Sequence, residues 1–173
     1  MSVEKTINAL EKRLTALESE KEVRECMNRY MYLCDDIGID FPLEKLTQLF
    51  SEGAVWEGKG GRYSKSFGRC EGRDAIAQMF KKYTLPPAHF ELNVHVLGNE
   101  VINVDADSAT GSWVLVQPSS FTSGKSQLSC ARITAKFIKN NERWLIDHFQ
   151  TESLFSRPMS EPWDQPALLP VPD

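Results

Sequence analysis

The 173-residue chain has no hydrophobic run of membrane-spanning length and no long basic run. It lacks GxGxxG, a P-loop, GxSxG and HExxH, so nucleotide cradles, the serine-hydrolase elbow and the helical zinc motif are all missing. Its formal net charge of −4 speaks against nucleic acid and anionic membranes as partners. Four cysteines (Cys26, Cys34, Cys70, Cys130) form no CxxC pair and have no histidine at metal-ligand spacing. Free, mostly buried thiols are the expectation, with no metal site and no disulfide framework. The start of the chain is charged at Glu4 and Lys5, unlike a secretory signal, so a cytoplasmic protein is expected. Chemistry is therefore expected from ordinary side chains, without a cofactor.

What is present fits one globular domain: 41% hydrophobic and 25% charged residues. Residues 3–33 read as helix. Val3, Ile7, Leu10, Leu14 and Leu17 recur at spacings of four, three, four and three, a short heptad seam. The stripe then moves to Val23, Cys26, Met27, Tyr30 and Leu33. Two arrangements fit: an exposed first half that meets a partner subunit, or one amphipathic helix lying on its own core. Residues 35–42 read as a loop, 43–50 as a short helix, 54–57 as a strand, 58–61 as a glycine-rich turn and 72–83 as a third helix. From His89 the texture alternates, with Phe90, Leu92, Val94 and Val96 against His89, Glu91, Asn93 and His95, which predicts a strand over 89–96. Further strands are expected over 101–104, 109–117, 128–138 and 143–149. Helices first and strands after give an α+β class: a bent antiparallel sheet closed on one side by helices. The expected divisions are a helical extension (1–20), a cone domain (21–156) and a proline-rich arm (157–173), extended or disordered.

Three histidines are the natural proton carriers: His89, His95 and His148. His95 reads as central in its strand, on the polar face, which lines a pocket or meets solvent. Asp35 lies where the first helix ends, an electrostatically unfavourable place for an acid. Tyr30 precedes it in the last turns and could donate to a developing oxyanion. Trp56, Phe67, Phe90, Trp113 and Phe121 are candidates to line an apolar pocket; core packing is an equal reading for each.

Four segments together resemble the SnoaL-like branch of the nuclear transport factor 2-like superfamily. They are Arg29-Tyr30 followed by Asp35; Leu46–Gly58 (LTQLFSEGAVWEG); Gly72-Arg73-Asp74-Ala75-Ile76; and His95-Val96-Leu97-Gly98-Asn99 followed by the Asp105-Ala106-Asp107 turn. The resemblance covers roughly residues 5–150 and implies a cone-shaped curved sheet around an apolar pocket. In its scytalone dehydratase, bile-acid dehydratase and hexachlorocyclohexane dehydrochlorinase members an Asp–His pair does the chemistry. By position that pair falls on Asp35 and His95, with Tyr30 as the pocket tyrosine. Gln117 stands where the bile-acid enzyme has a further acid, and Arg132 is a substitute for its late arginine. With His89 these are the expected substrate contacts. The resemblance implies a cofactor-independent lyase acting on a small lipophilic, hydroxylated substrate, and a homo-oligomer, a trimer before a dimer. It also leaves open an isomerase or cyclase using Asp35 alone, and a non-catalytic binding module like the small subunit of ring-hydroxylating dioxygenases.

Overall fold

A single 33-residue helix, α1 (Val3–Asp35), opens the chain in the computed structural model, which describes residues 2–164. Residues 2–18 are exposed on every side, and burial begins at Ser19 and continues through Val23, Met27, Tyr30 and Cys34. The first half of α1 therefore stands clear of the domain, and the alternative of one helix lying along its own core does not hold.

After α1 come α2 (Leu43–Thr47), β1 (Phe50–Lys59), α3 (Gly60–Ser66), β2 (Arg69–Glu71), α4 (Arg73–Lys81), β3 (Phe90–Asn93), β4 (Val96–Asp105), β5 (Ser108–Phe121), β6 (Ser126–Asn140) and β7 (Arg143–Met159). The sheet runs β2-β1-β7-β6-β5-β3, with β4 also on β5. Every pairing is antiparallel except β1 with β7, which is parallel. The long strands curl into a half-barrel whose inner face meets α1 and α4. This is the expected α+β cone. Its centre is Phe50, Phe137, Met27, Leu46 and Ile133, each with 1% exposure or less.

Three local expectations are corrected. The turn expected at 58–61 is the end of β1 and the start of α3. An added Cβ on Gly58 would sit 2.3 Å from the Tyr63 carbonyl oxygen, so this glycine serves a close approach rather than a turn. The expected continuous strand 89–96 breaks after Asn93 and resumes at Val96. Beyond Leu92 its faces exchange: Asn93 is buried, whereas Val94 and Val96 are exposed. The arm expected from residue 157 is held as far as residue 163. The β6–β7 ladder extends to Ser126 opposite Met159, and the Trp163 backbone N–H donates to Ser120 Oγ at 2.7 Å. Pro158 is tolerated because β1 stops opposite Glu152, which leaves that end of β7 unpaired on one side. Residues 165–173 of the expected arm lie outside the described residues.

Candidate active site

The break between β3 and β4 decides the position of His95. The pairing registers (Asn93 with Ser119, Val96 with Val116) put His95 opposite Gln117 on the inner face. In the break its backbone N–H is free of the ladder and donates to Asp35 Oδ1 at 2.8 Å. The same oxygen lies 2.6 Å from the ring Nδ1. Asp35 is the last residue of α1, so its carboxylate carries the unfavourable position at a helix C-terminus. Two N–H donors from one residue offset that cost and fix the ring, with Nδ1 as the protonated nitrogen opposite a carboxylate. The side chains are 12% and 21% exposed, so the pair is shielded without being sealed.

His95 lines a cavity of about 140 Å³; Asp35 does not. The walls are mostly apolar, from Met31, Trp56, Phe67, Phe80, Phe90 and Phe149 among others. Rings pack edge-on or stacked around the wall, as with Trp56 on Phe149 at 5.5 Å and on Phe67 at 5.5 Å. Tyr30 is at the floor. Its hydroxyl oxygen accepts from Trp56 Nε1 at 2.9 Å, leaving its own proton to donate. Burial raises the Tyr30 pKa well above the ordinary tyrosine value, so the hydroxyl stays protonated at neutral pH. Burial likewise pushes the Cys34 thiol, also on the wall, up to about 12, which makes it a poor nucleophile.

Of the expected contacts, Tyr30, Trp56, Phe67, Phe90, His95 and Gln117 share this cavity. Trp113 does not line it. Its ring folds back over Gly111, where an added Cβ would lie 2.1 Å from the indole, and its Nε1 donates to Glu100 Oε2 at 3.0 Å. The indole is thus a core residue, packed edge-on against Phe137 at 6.3 Å. Arg132 is exposed on the outer face of β6, because its neighbour Ile133 points inward and adjacent strand residues alternate. His89 is off the cavity too, packed edge-on against Phe90 at 4.5 Å and Phe121 at 5.3 Å. Burial against those rings and then Lys82 lower its pKa. Phe121 packs at a tilt against Phe90, ring centres 5.5 Å apart, and is not a wall residue.

Asn93 was not anticipated. Its Oδ1 accepts from Gln117 Nε2 and Ser119 Oγ, both at 2.8 Å, which holds Gln117 beside His95. The signal was available: Asn93 and His95 share one face of the alternating segment. Tyr63 and Thr151 on the wall were also missed, since neither α3 nor the extension of β7 beyond Phe149 was expected.

His148 belongs to a different cluster, on the sheet's outer face, in a depression it shares with Thr134, Lys136 and Gln150. Its Nε2 is 3.1 Å from Glu57 Oε1, Arg69 donates to Glu57 Oε2 at 2.8 Å, and Gln150 donates to the same carboxylate. Burial alone would raise the Glu57 pKa, but these hydrogen bonds from Arg69, Gln150 and His148 outweigh it and lower the value to about 2. The folded pKa lies below the ordinary 4.5, so the stabilisation is present above about pH 4.5 and is lost as pH falls towards 2. Glu57→Gln should therefore cost about 1–2 kcal/mol at pH 7 and almost nothing near pH 2. Chemical denaturation of both proteins at several pH values reads this directly; a pH-independent difference would contradict it.

The family described as SnoaL-like domain matches residues 15–150. No curated protein matches the sequence. Solved structures of similar fold include hexachlorocyclohexane dehydrochlorinase of the LinA type from Novosphingobium barchaimii, with TM-score 0.72 and 15% identity over 89% of this chain and 99% of that one. A candidate scytalone dehydratase from Novosphingobium aromaticivorans superposes with TM-score 0.70 and 16% identity, covering 87% and 97%. An NTF2-like protein with a cystatin-like fold from the same organism gives 0.65 and 24%, covering 84% and 88%.

Proposed function

The chain belongs to the SnoaL-like domain family, and from that premise we propose that it is a cofactor-independent lyase whose His95–Asp35 dyad removes water, or a comparable leaving group, from a small lipophilic hydroxylated compound. The observation that carries this reading is the geometry of His95. Its Nδ1 is tied to Asp35 at 2.6 Å while the ring borders an apolar cavity. Nε2 is left as the nitrogen available to substrate. It takes a proton from the carbon next to the one bearing the hydroxyl, and Asp35 stabilises the imidazolium. As the C–O bond breaks, the proton on Nε2 passes to the departing hydroxyl, which leaves as water. Tyr30 donates to the oxygen on which charge develops. Gln117, opposite His95, supplies a polar anchor among the rings.

An isomerase in which Asp35 alone is the base fits less well. Asp35 Oδ1 is engaged twice by His95, and the carboxylate is not on the cavity wall. The fold likeness includes proteins named as a dehydratase and a dehydrochlorinase, whose names describe eliminations.

The reading is tested by incubating the protein with a panel of hydroxylated aromatic and polycyclic compounds and following loss of water by mass spectrometry. Tyr30→Phe should then reduce kcat about 10²-fold with a smaller change in KM. It should also destabilise the fold by roughly 1–3 kcal/mol, since Trp56 Nε1 loses its buried acceptor. Absence of any elimination across the panel, together with a cavity that takes up none of the compounds, would remove the proposal.

A further inference from the structure

The exposed half of α1 carries an apolar row that the domain does not use. Val3, Ile7, Leu10, Leu14 and Leu17 are 49–76% exposed. Ser2 caps the helix immediately before the row, its Oγ accepting from the Lys5 N–H at 3.4 Å. Counted as a heptad, Ile7 and Leu14 are a positions, and Val3, Leu10 and Leu17 are d positions. The residues that bury against the domain next, Ser19, Val23 and Cys26, fall at f, c and f, on the opposite side of the helix. The row thus points away from its own core. It also stops where packing on the domain begins. The next two seam positions are Lys21, paired with Glu25 at 3.4 Å, and Arg24, held by Glu20 at 2.7 Å and Glu100 at 2.6 Å.

The flanking charges select the occupant. The e positions are Glu4, Glu11 and Glu18; the g positions are Thr6, Arg13 and Glu20. In an antiparallel pair the e rows face each other, and glutamates would oppose glutamates along the whole seam. In a parallel pair each g faces the e of the next heptad, so Arg13 of one copy meets Glu18 of the other, and Thr6 meets Glu11. From the exposed row and these flanks we infer that residues 3–17 form a parallel coiled-coil seam with the same stretch of a second copy of this chain. The seam is about 22 Å long. A bare helix of that length gains little by itself, and covering five apolar side chains supplies what it lacks. The inference is independent of the lyase reading.

The test uses the full chain with Leu17→Cys, treated with a mild oxidant. In a parallel pair Leu17 faces Leu17, so the variant should form a covalent dimer nearly completely, whereas the parent, with three buried cysteines and one half-buried, should not. In an antiparallel pair d positions face a positions, so Leu17 faces Ile7, and only a mixture of Leu17→Cys and Ile7→Cys chains would link. Sedimentation of the parent should give a multiple of 19.6 kDa. The Leu10→Glu, Leu14→Glu double variant should weaken that association at least 100-fold, with an unchanged circular dichroism spectrum of the domain. A parent that is monomeric at micromolar concentration would leave the row to a different protein and overturn the inference. So would absence of a Leu17→Cys link, linkage only in the mixture, or a double variant that associates as tightly as the parent.

Discussion

His95→Ala is expected to lower kcat/KM by about 10³-fold or more on any substrate the panel identifies, with little loss of fold stability. The stability side follows from how Asp35 is held. It accepts from the His95 backbone N–H as well as from the ring, and the backbone bond survives the substitution. The space vacated opens on the existing cavity and is not sealed in the core. Asp35→Asn is expected to be nearly as damaging. The amide oxygen can still accept from both N–H groups of His95, but it no longer carries the charge that stabilises the imidazolium. Steady-state kinetics on both variants, with thermal unfolding as the fold control, separates the readings. Wild-type-like turnover in His95→Ala would end the dyad mechanism. Turnover that survives in His95→Ala and vanishes in Asp35→Asn would identify the carboxylate as the base and move the protein to the isomerase class.

The two halves of this dyad were legible in the sequence to different degrees. The alternation around His95 put it on one face with Asn93, as pleating does locally, but it put His89 and Glu91 there too, and the irregularity between Phe90 and Leu92 breaks that part of the pattern. The same alternation could not say which face is inner. The break after Asn93 lets the backbone of His95 turn to Asp35, and that depends on an acid 60 residues earlier in the chain. Trp56 and Phe67 were legible as wall residues only as part of a list that also held Trp113. What separates them is where each ring finds room, and for Trp113 that room is Gly111, two residues back on the same face. The resemblance offers no match for the family's late arginine and brings in Arg132 only as a substitute from another strand; the strand parity set by Ile133 turns it outward. The seam in α1 was the plainest feature of all, since a heptad is purely local. That its row faces away from the domain required the structure.

Gly58→Ala should be disproportionately harmful for the addition of one methyl group. Gly58 is buried in β1, and its backbone N–H donates to the Gly68 carbonyl at 2.9 Å across the α3 loop. The new Cβ would lie 2.3 Å from the Tyr63 oxygen and 2.7 Å from the Tyr63 carbonyl carbon. These are backbone atoms, so no rotamer change relieves the contact and α3 itself must move. With it go Tyr63 and Phe67, whose rings pack at 5.0 Å and carry the wall on to Trp56. Overpacking of this kind typically costs 1–3 kcal/mol, or roughly 2–10 °C in Tm for a domain of this size. Because the displaced residues are wall and not dyad, the kinetic loss should fall mainly on KM, with kcat nearer to normal. Gly53→Ala is the matched control: it is in the same strand, has nothing within 4 Å of the added Cβ, and should leave Tm unchanged or slightly higher. Equal Tm values for the two variants would mean that α3 is not pinned to β1 by this approach, and the glycine at 58 would lose its stated reason.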